Sequence, residues 1–169
     1  MLGFILLLPL EGVGDIRTTT QTMTANISPY GKLSVPSNVS LRSSGTRFEG
    51  SLAGNFTVSY WARTSDVGGG SITVQGSSEF SPAGGPSIGS VTYLCSGATL
   101  GTGCSGSQTL ATSTQTPVVT LQSGACTGGG SPCSTQEPNT VLLTLSSQNK
   151  PHYKTGTYSA QITFTISTL

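Results

Sequence analysis

The stretch Tyr158-Ser-Ala-Gln-Ile-Thr-Phe-Thr-Ile-Ser167 decides the fold class. Side chains of an extended strand point alternately to its two faces, so Tyr158, Ala160, Ile162, Phe164 and Ile166 share one face. Ser159, Gln161, Thr163, Thr165 and Ser167 share the other. One apolar face and one hydroxyl face describe a strand half-buried against a core. The same period runs from Asn55 to Arg63, with Phe56, Val58, Tyr60 and Ala62 opposite Thr57, Ser59, Trp61 and Arg63. Aromatic side chains on both faces place that strand nearer the middle of a sheet. Further strands are predicted over Thr22 to Ser28, Leu33 to Val35, Val39 to Arg42, Ser71 to Gln75, Ser90 to Cys95, Val118 to Gln122 and Thr140 to Ser146, with Gly, Pro, Asn and Ser clusters between them. Nowhere do apolar residues recur at helical spacing for three turns, and the many β-branched residues favour strands. The expected fold is an all-β, Ig-like antiparallel β-sandwich with Gly/Ser/Thr-rich loops and almost no helix.

A chain of 169 residues can bury one sizeable core, so a single sandwich domain is expected over 15–169. Only 8% of residues are charged and the formal net charge is +1. The seven Lys and Arg are spread singly from Arg17 to Lys154, which excludes the clustered positive charge on which nucleic-acid binding depends. Low charge also removes colloidal repulsion and favours self-association. Residues 1–14 form an apolar leader. The run Met1 to Leu10 is shorter than the ~20 residues of a membrane-spanning helix. It fits the hydrophobic part of a signal peptide, with Gly12 and Gly14 at the small-residue positions before Asp15. No Lys or Arg precedes it, so a retained apolar strand interrupted by Pro9 is the alternative.

The four cysteines are Cys95, Cys104, Cys126 and Cys133. An even number in a small hydroxyl-rich chain suggests an oxidising compartment and a disulfide framework. Both CSGATLGTGC and CTGGGSPC are Gly-rich and can fold back on themselves, which favours Cys95–Cys104 and Cys126–Cys133 over the two other pairings. Zinc ligation is disfavoured, because the gaps are too long and His152 is the only histidine.

Catalytic strings are present but lack their structural context. Gly85-Pro86-Ser87-Ile88-Gly89 matches G-x-S-x-G, yet a nucleophile elbow needs a strand before it and a helix after it, and Pro86 makes this a turn. A triad would have to use His152, which is expected in a turn beside Pro151, with Asp15 or Asp66. Gly101-Thr-Gly-Cys-Ser-Gly106 matches G-x-G-x-x-G without the following helix that would meet a pyrophosphate. Glu49, Asp66 and Glu79 have no spacing that selects them as a catalytic pair and read as solvated loop acids. No catalytic residue, cofactor or metal site is expected. Sequons at Asn26, Asn38 and Asn55 arise readily in a chain this rich in Ser and Thr. The stretch Gly97 to Thr116 reads as a surface excursion pinned at its base by Cys95 and Cys104. Trp61, the single tryptophan, is expected in the core; facing outward it would stack on a sugar or a partner.

The closing segment Lys154 to Leu169, with Gly-Thr-Tyr leading into the alternating strand, resembles the C-terminal strand of bacterial secreted pilin-like domains, including fimbrial subunits and spore coat U-like proteins. Met23 to Pro36 is similar to the first strand and turn of such domains. The resemblance implies an Ig-like fold that lacks a strand, filled by an N-terminal extension of the next subunit. By that resemblance the donor segment would lie around Val13 to Thr22, with Val13, Ile16, Thr18 and Thr20 along it, although family donors alternate bulkier residues. The expected function is a secreted or cell-surface structural or adhesive subunit of a filament, pilus or coat. Such a subunit would pass through the periplasm and self-associate into a homopolymer. The alternative is a secreted monomeric module that binds a carbohydrate or surface ligand.

Overall fold

The computed structural model describes residues 21–43, 50–126, 133 and 137–169. Ten strands occur among them: β1 (Tyr30–Ser34), β2 (Arg42–Ser43), β3 (Ser51–Arg63), β4 (Gly70–Gly76), β5 (Thr92–Ser96), β6 (Thr102–Gly103), β7 (Gln108–Thr109), β8 (Thr116–Leu121), β9 (Asn139–Gln148) and β10 (Ile162–Thr168). The one helical element described is a 3₁₀ turn at Ile88–Ser90. One sheet has the order β1-β3-β9-β5-β7, with β2 pairing the far end of β3; the other runs β10-β4-β8-β6. Every ladder is antiparallel. The protein is an all-β sandwich, as the alternating segments predict.

The order follows Ig logic. An Ig sandwich places its strands A, B, E and D in one sheet and C, F and G in the other. Taken in chain order, β1, β3, β9 and β5 occupy the places of A, B, E and D, and β4 and β10 those of C and F. Beyond β10, where an Ig domain adds G, no strand stands among the described residues.

The inward faces of both sheets meet in one core. Val58, Tyr60, Ile72, Val74, Val118, Val119, Val141 and Leu143 are buried, and all come from the central strands β3, β4, β8 and β9. Removing such side chains from water supplies the main stabilising term, at roughly 25 cal/mol per Å² of apolar surface. The β5–β7 side is tightly closed. Leu110, just after β7, is buried, and the Tyr60 hydroxyl donates to the Leu100 carbonyl. Tyr93 Oη donates across the sheets to Thr116 Oγ1 and the Pro117 carbonyl, both at 2.8 Å. Burial pushes both phenols above their ordinary pKa, more than the hydrogen bonds to Leu100 and Thr116 lower it, so both remain protonated donors at neutral pH. Tyr93→Phe removes a donor bridging the two sheets, and a cost of about 1–2 kcal/mol in urea unfolding is the expected result.

Several elements depart from the sequence reading. Thr22 to Ser28 joins no sheet and is exposed throughout, although Met23, Ala25 and Ile27 alternate with polar residues. The first ladder begins at Tyr30, where β3 supplies a partner. Of Val39 to Arg42 only Arg42 is in a strand. Ala160 keeps the predicted inward face, whereas Tyr158 lies against Gly85 and donates its hydroxyl to the Lys154 carbonyl; the β10 ladder starts at Ile162, and before it Ser81 and Ser159 form a single bridge. Gly97 to Thr116 is not a surface excursion. It contributes one short strand to each sheet and sends Leu110 into the core, because hydroxyl and glycine residues can pair through their backbones without an apolar pattern.

Candidate functional site

The two edges that face each other on the side opposite Leu110 are β1 and β10. They lie close: a Cβ added at Gly31 would sit 3.1 Å from Ile166 Cγ1, so only glycine allows this approach without displacing the isoleucine. Here the core is left unfinished. Leu33, Phe56, Ile162, Phe164 and Ile166 pack against the core but are only half-buried, whereas Val91, Tyr93 and Leu110 on the β5–β7 side are buried. The Phe56 and Phe164 rings meet edge to face at 5.9 Å and bridge the two sheets within this seam.

The backbone of β10 is equally unfinished. Ser77 N donates to the Gln161 carbonyl at one end, and Leu169 N to the Gly69 carbonyl at the other. Ladder bonds alternate, so odd-numbered residues face β4, while Ile162, Phe164, Ile166 and Thr168 direct their N–H and C=O groups to the open edge. The same residues carry the half-buried side chains. Edge strands are normally blunted with charge, proline or a bulge. ITFTIST contains no charged residue and no proline, and its register with β4 runs unbroken from Ile162 to Thr168.

A second feature lies on the outer face of the β1-β3 ladder. The register pairs Tyr30 with Arg63 and Lys32 with Trp61. Tyr60 and Ala62 point into the core, so Trp61 and Arg63 point out. The expectation that Trp61 lies in the core is thereby corrected. With aromatics on both faces of β3, Tyr60 takes the inward side and leaves Trp61 half-exposed beneath Lys32, whose Nζ is 4.8 Å from the ring centroid. Arg63 donates from Nε and Nη2 to the Ser28 carbonyl at 3.2 and 2.7 Å, which fixes its guanidinium beside this pair. Tyr30, Trp61 and Arg63 also line a cleft that runs to Cys126 and Cys133.

The disulfides are Cys95–Cys104 and Cys126–Cys133. The first joins β5 of one sheet to the residue following β6 of the other. The second closes the loop after β8, which is tied to β3 through Thr64: its Oγ1 donates to the Gln122 carbonyl and accepts from Ala125 N. Other sequence candidates stay apart. Pro86 and Ile88 of the G-x-S-x-G string are buried around a 3₁₀ turn, with no α-helix beyond. Glu79 is more than a solvated acid, since its Oε2 accepts from Ile88 N at 2.8 Å and braces that turn. His152 lies in a turn and stacks edge to face on Tyr153. Among the described residues no three His, Cys, Asp or Glu converge as metal ligands, and no helix is long and apolar enough to cross a membrane. The leader 1–14, Val13, Ile16, Thr18, Thr20 and Glu49 lie outside the described residues.

Comparison with models of protein families, with curated proteins and with solved structures finds no match to this chain.

Proposed function

We propose that this chain is a structural or adhesive subunit of an extracellular filament or coat, exported through an oxidising compartment, whose sandwich is completed by a strand from a neighbouring copy. The observation that carries this reading is the uncharged, unpaired backbone edge of β10 beside partly buried seam residues, at the position where an Ig sandwich has its G strand. Strand addition uses main-chain hydrogen bonds for affinity and alternate side chains for fit. The seam offers both in register, because the residues with outward backbone groups are those whose side chains line it. Two disulfides and the near-neutral charge support export and self-association.

The donor comes from the N-terminal region of the neighbouring copy, from around Val13 to Thr22 or from the segment that follows. Within the latter, Met23 is 93% and Ile27 72% exposed in a stretch with strand alternation and no ladder. This reading assigns the chain no catalysis and no cofactor.

The test is the assembly state of chain purified from an oxidising compartment, by size-exclusion chromatography and negative-stain electron microscopy. Intact chain is expected to form polymers. Chain lacking residues 1–28 and the variant Ile166→Lys are expected to be folded monomers by circular dichroism, since a charge in the seam opposes insertion. Thr165→Lys, on the exposed face, is expected to assemble normally. An intact chain that stays monomeric, or an Ile166→Lys variant that polymerises like the parent, would overturn the proposal.

A further inference from the structure

The outward quartet on β1 and β3 has the composition of a binding surface. Tyr30 and Lys32 stand two apart on β1, and Trp61 and Arg63 two apart on β3, so all four project from one face. Aromatic and cation alternate around the square: Tyr30 opposes Arg63, and Lys32 opposes Trp61. The only charged side chains on the described strands of either sheet are Lys32, Arg42 and Arg63, and all are positive. The strands carry no acid to neutralise this corner; Asp66 lines the adjoining cleft on which Arg63 also borders. Tyr30 is 51% exposed and Lys32 is exposed, so an aromatic face and an ammonium are presented together.

We propose that this face binds an acidic polysaccharide, with a sugar ring lying on the exposed Tyr30 and sugar carboxylates accepting from Arg63 and from Lys32, whose ammonium Trp61 holds from beneath. Flat apolar sugar faces stack on aromatic rings while their carboxylates match a guanidinium and an ammonium, so this ligand class uses both halves of the quartet. Nucleic acid would use the same chemistry but needs many phosphate contacts for useful affinity, and two cations provide few. The quartet faces away from the core and the seam, so this site stands whether or not β10 accepts a strand.

The test is affinity electrophoresis and calorimetry of the intact chain with four probes: polygalacturonate, its methyl-esterified form, dextran and single-stranded oligodeoxythymidine. Polygalacturonate is expected to bind, with affinity reduced roughly tenfold by esterification, in line with the strength of charge-assisted hydrogen bonds. Lys32→Gln and Tyr30→Ala are each expected to weaken it by roughly fivefold to tenfold, and both positions are exposed enough for the variants to fold. Thr165→Lys, distant on the other sheet, is expected to bind as the parent does. Absence of binding to polygalacturonate, or binding unchanged by both Lys32→Gln and Tyr30→Ala, would overturn the site. Equal affinity for the esterified polymer or dextran would replace the acidic ligand with a neutral glycan, and preference for the oligonucleotide would replace it with nucleic acid; either result overturns the proposal.

Discussion

Leu143→Ala is expected to destabilise the protein by about 3–4 kcal/mol, whereas Phe164→Ala, although it removes more atoms, is expected to cost about half as much. The reason is the difference between the two sides of the sandwich. Leu143 is 1% exposed at the centre of β9, with β3 and β5 on either side, so its loss leaves a cavity that the surrounding ladders cannot collapse into. Phe164 is only partly buried in the seam, edge to face on Phe56, and water or a neighbouring side chain can take its place. Urea unfolding of both variants, with slopes compared to the parent, provides the measurement. Equal costs would show that the seam is packed like a finished core and has no room for a further strand.

The double variant Cys95→Ala/Cys104→Ala is expected to lose at least about 2.5 kcal/mol, the loop-closure contribution for a clip of this length, with a fall in Tm of roughly 5–10 °C. Cys126→Ala/Cys133→Ala removes a loop of similar length, so the chain-entropy contribution is nearly the same. The difference lies in the native state. Cys95 sits in β5, and Cys104 follows β6 and donates its N–H to the Val118 carbonyl, so the first clip binds the two sheets together at the closed side. The second only closes a loop beyond β8. Thermal unfolding of the two variants without reductant is expected to rank the first as the more damaging, and the reverse order would show that the sheets need no covalent tie there.

The fold class was legible because strands that cover a core on one face must alternate, and β3, β4, β9 and β10 do so with little interruption. Fold-back loops likewise made the disulfide pairs readable. What could not be read had no side-chain pattern to read. The strands β6 and β7 are pairs of small or polar residues held by backbone pairing with β8 and β5, which lie outside the stretch itself. Thr22 to Ser28 has the alternation of a strand but no neighbour to pair with, and periodicity reports a capacity for pairing rather than its fulfilment. Trp61 was misplaced because one strand with two aromatic faces does not say which face is inside. The burial of Tyr60 and Ala62 between the sheets decides it and leaves Trp61 on the outer face beside Lys32. The seam itself is a property of strand order, and strand order is not written in any local stretch.

The two disulfides span sequence separations of only 9 and 7, whereas β3 finds β9 across most of the chain, with Ser51 opposite Gln148. Loops of about ten residues close in roughly 10–100 ns, far faster than ladders of such high contact order assemble. Each cysteine therefore meets its native partner most often even in a chain with no sheet, so oxidation can run ahead of folding and still produce the native pairs.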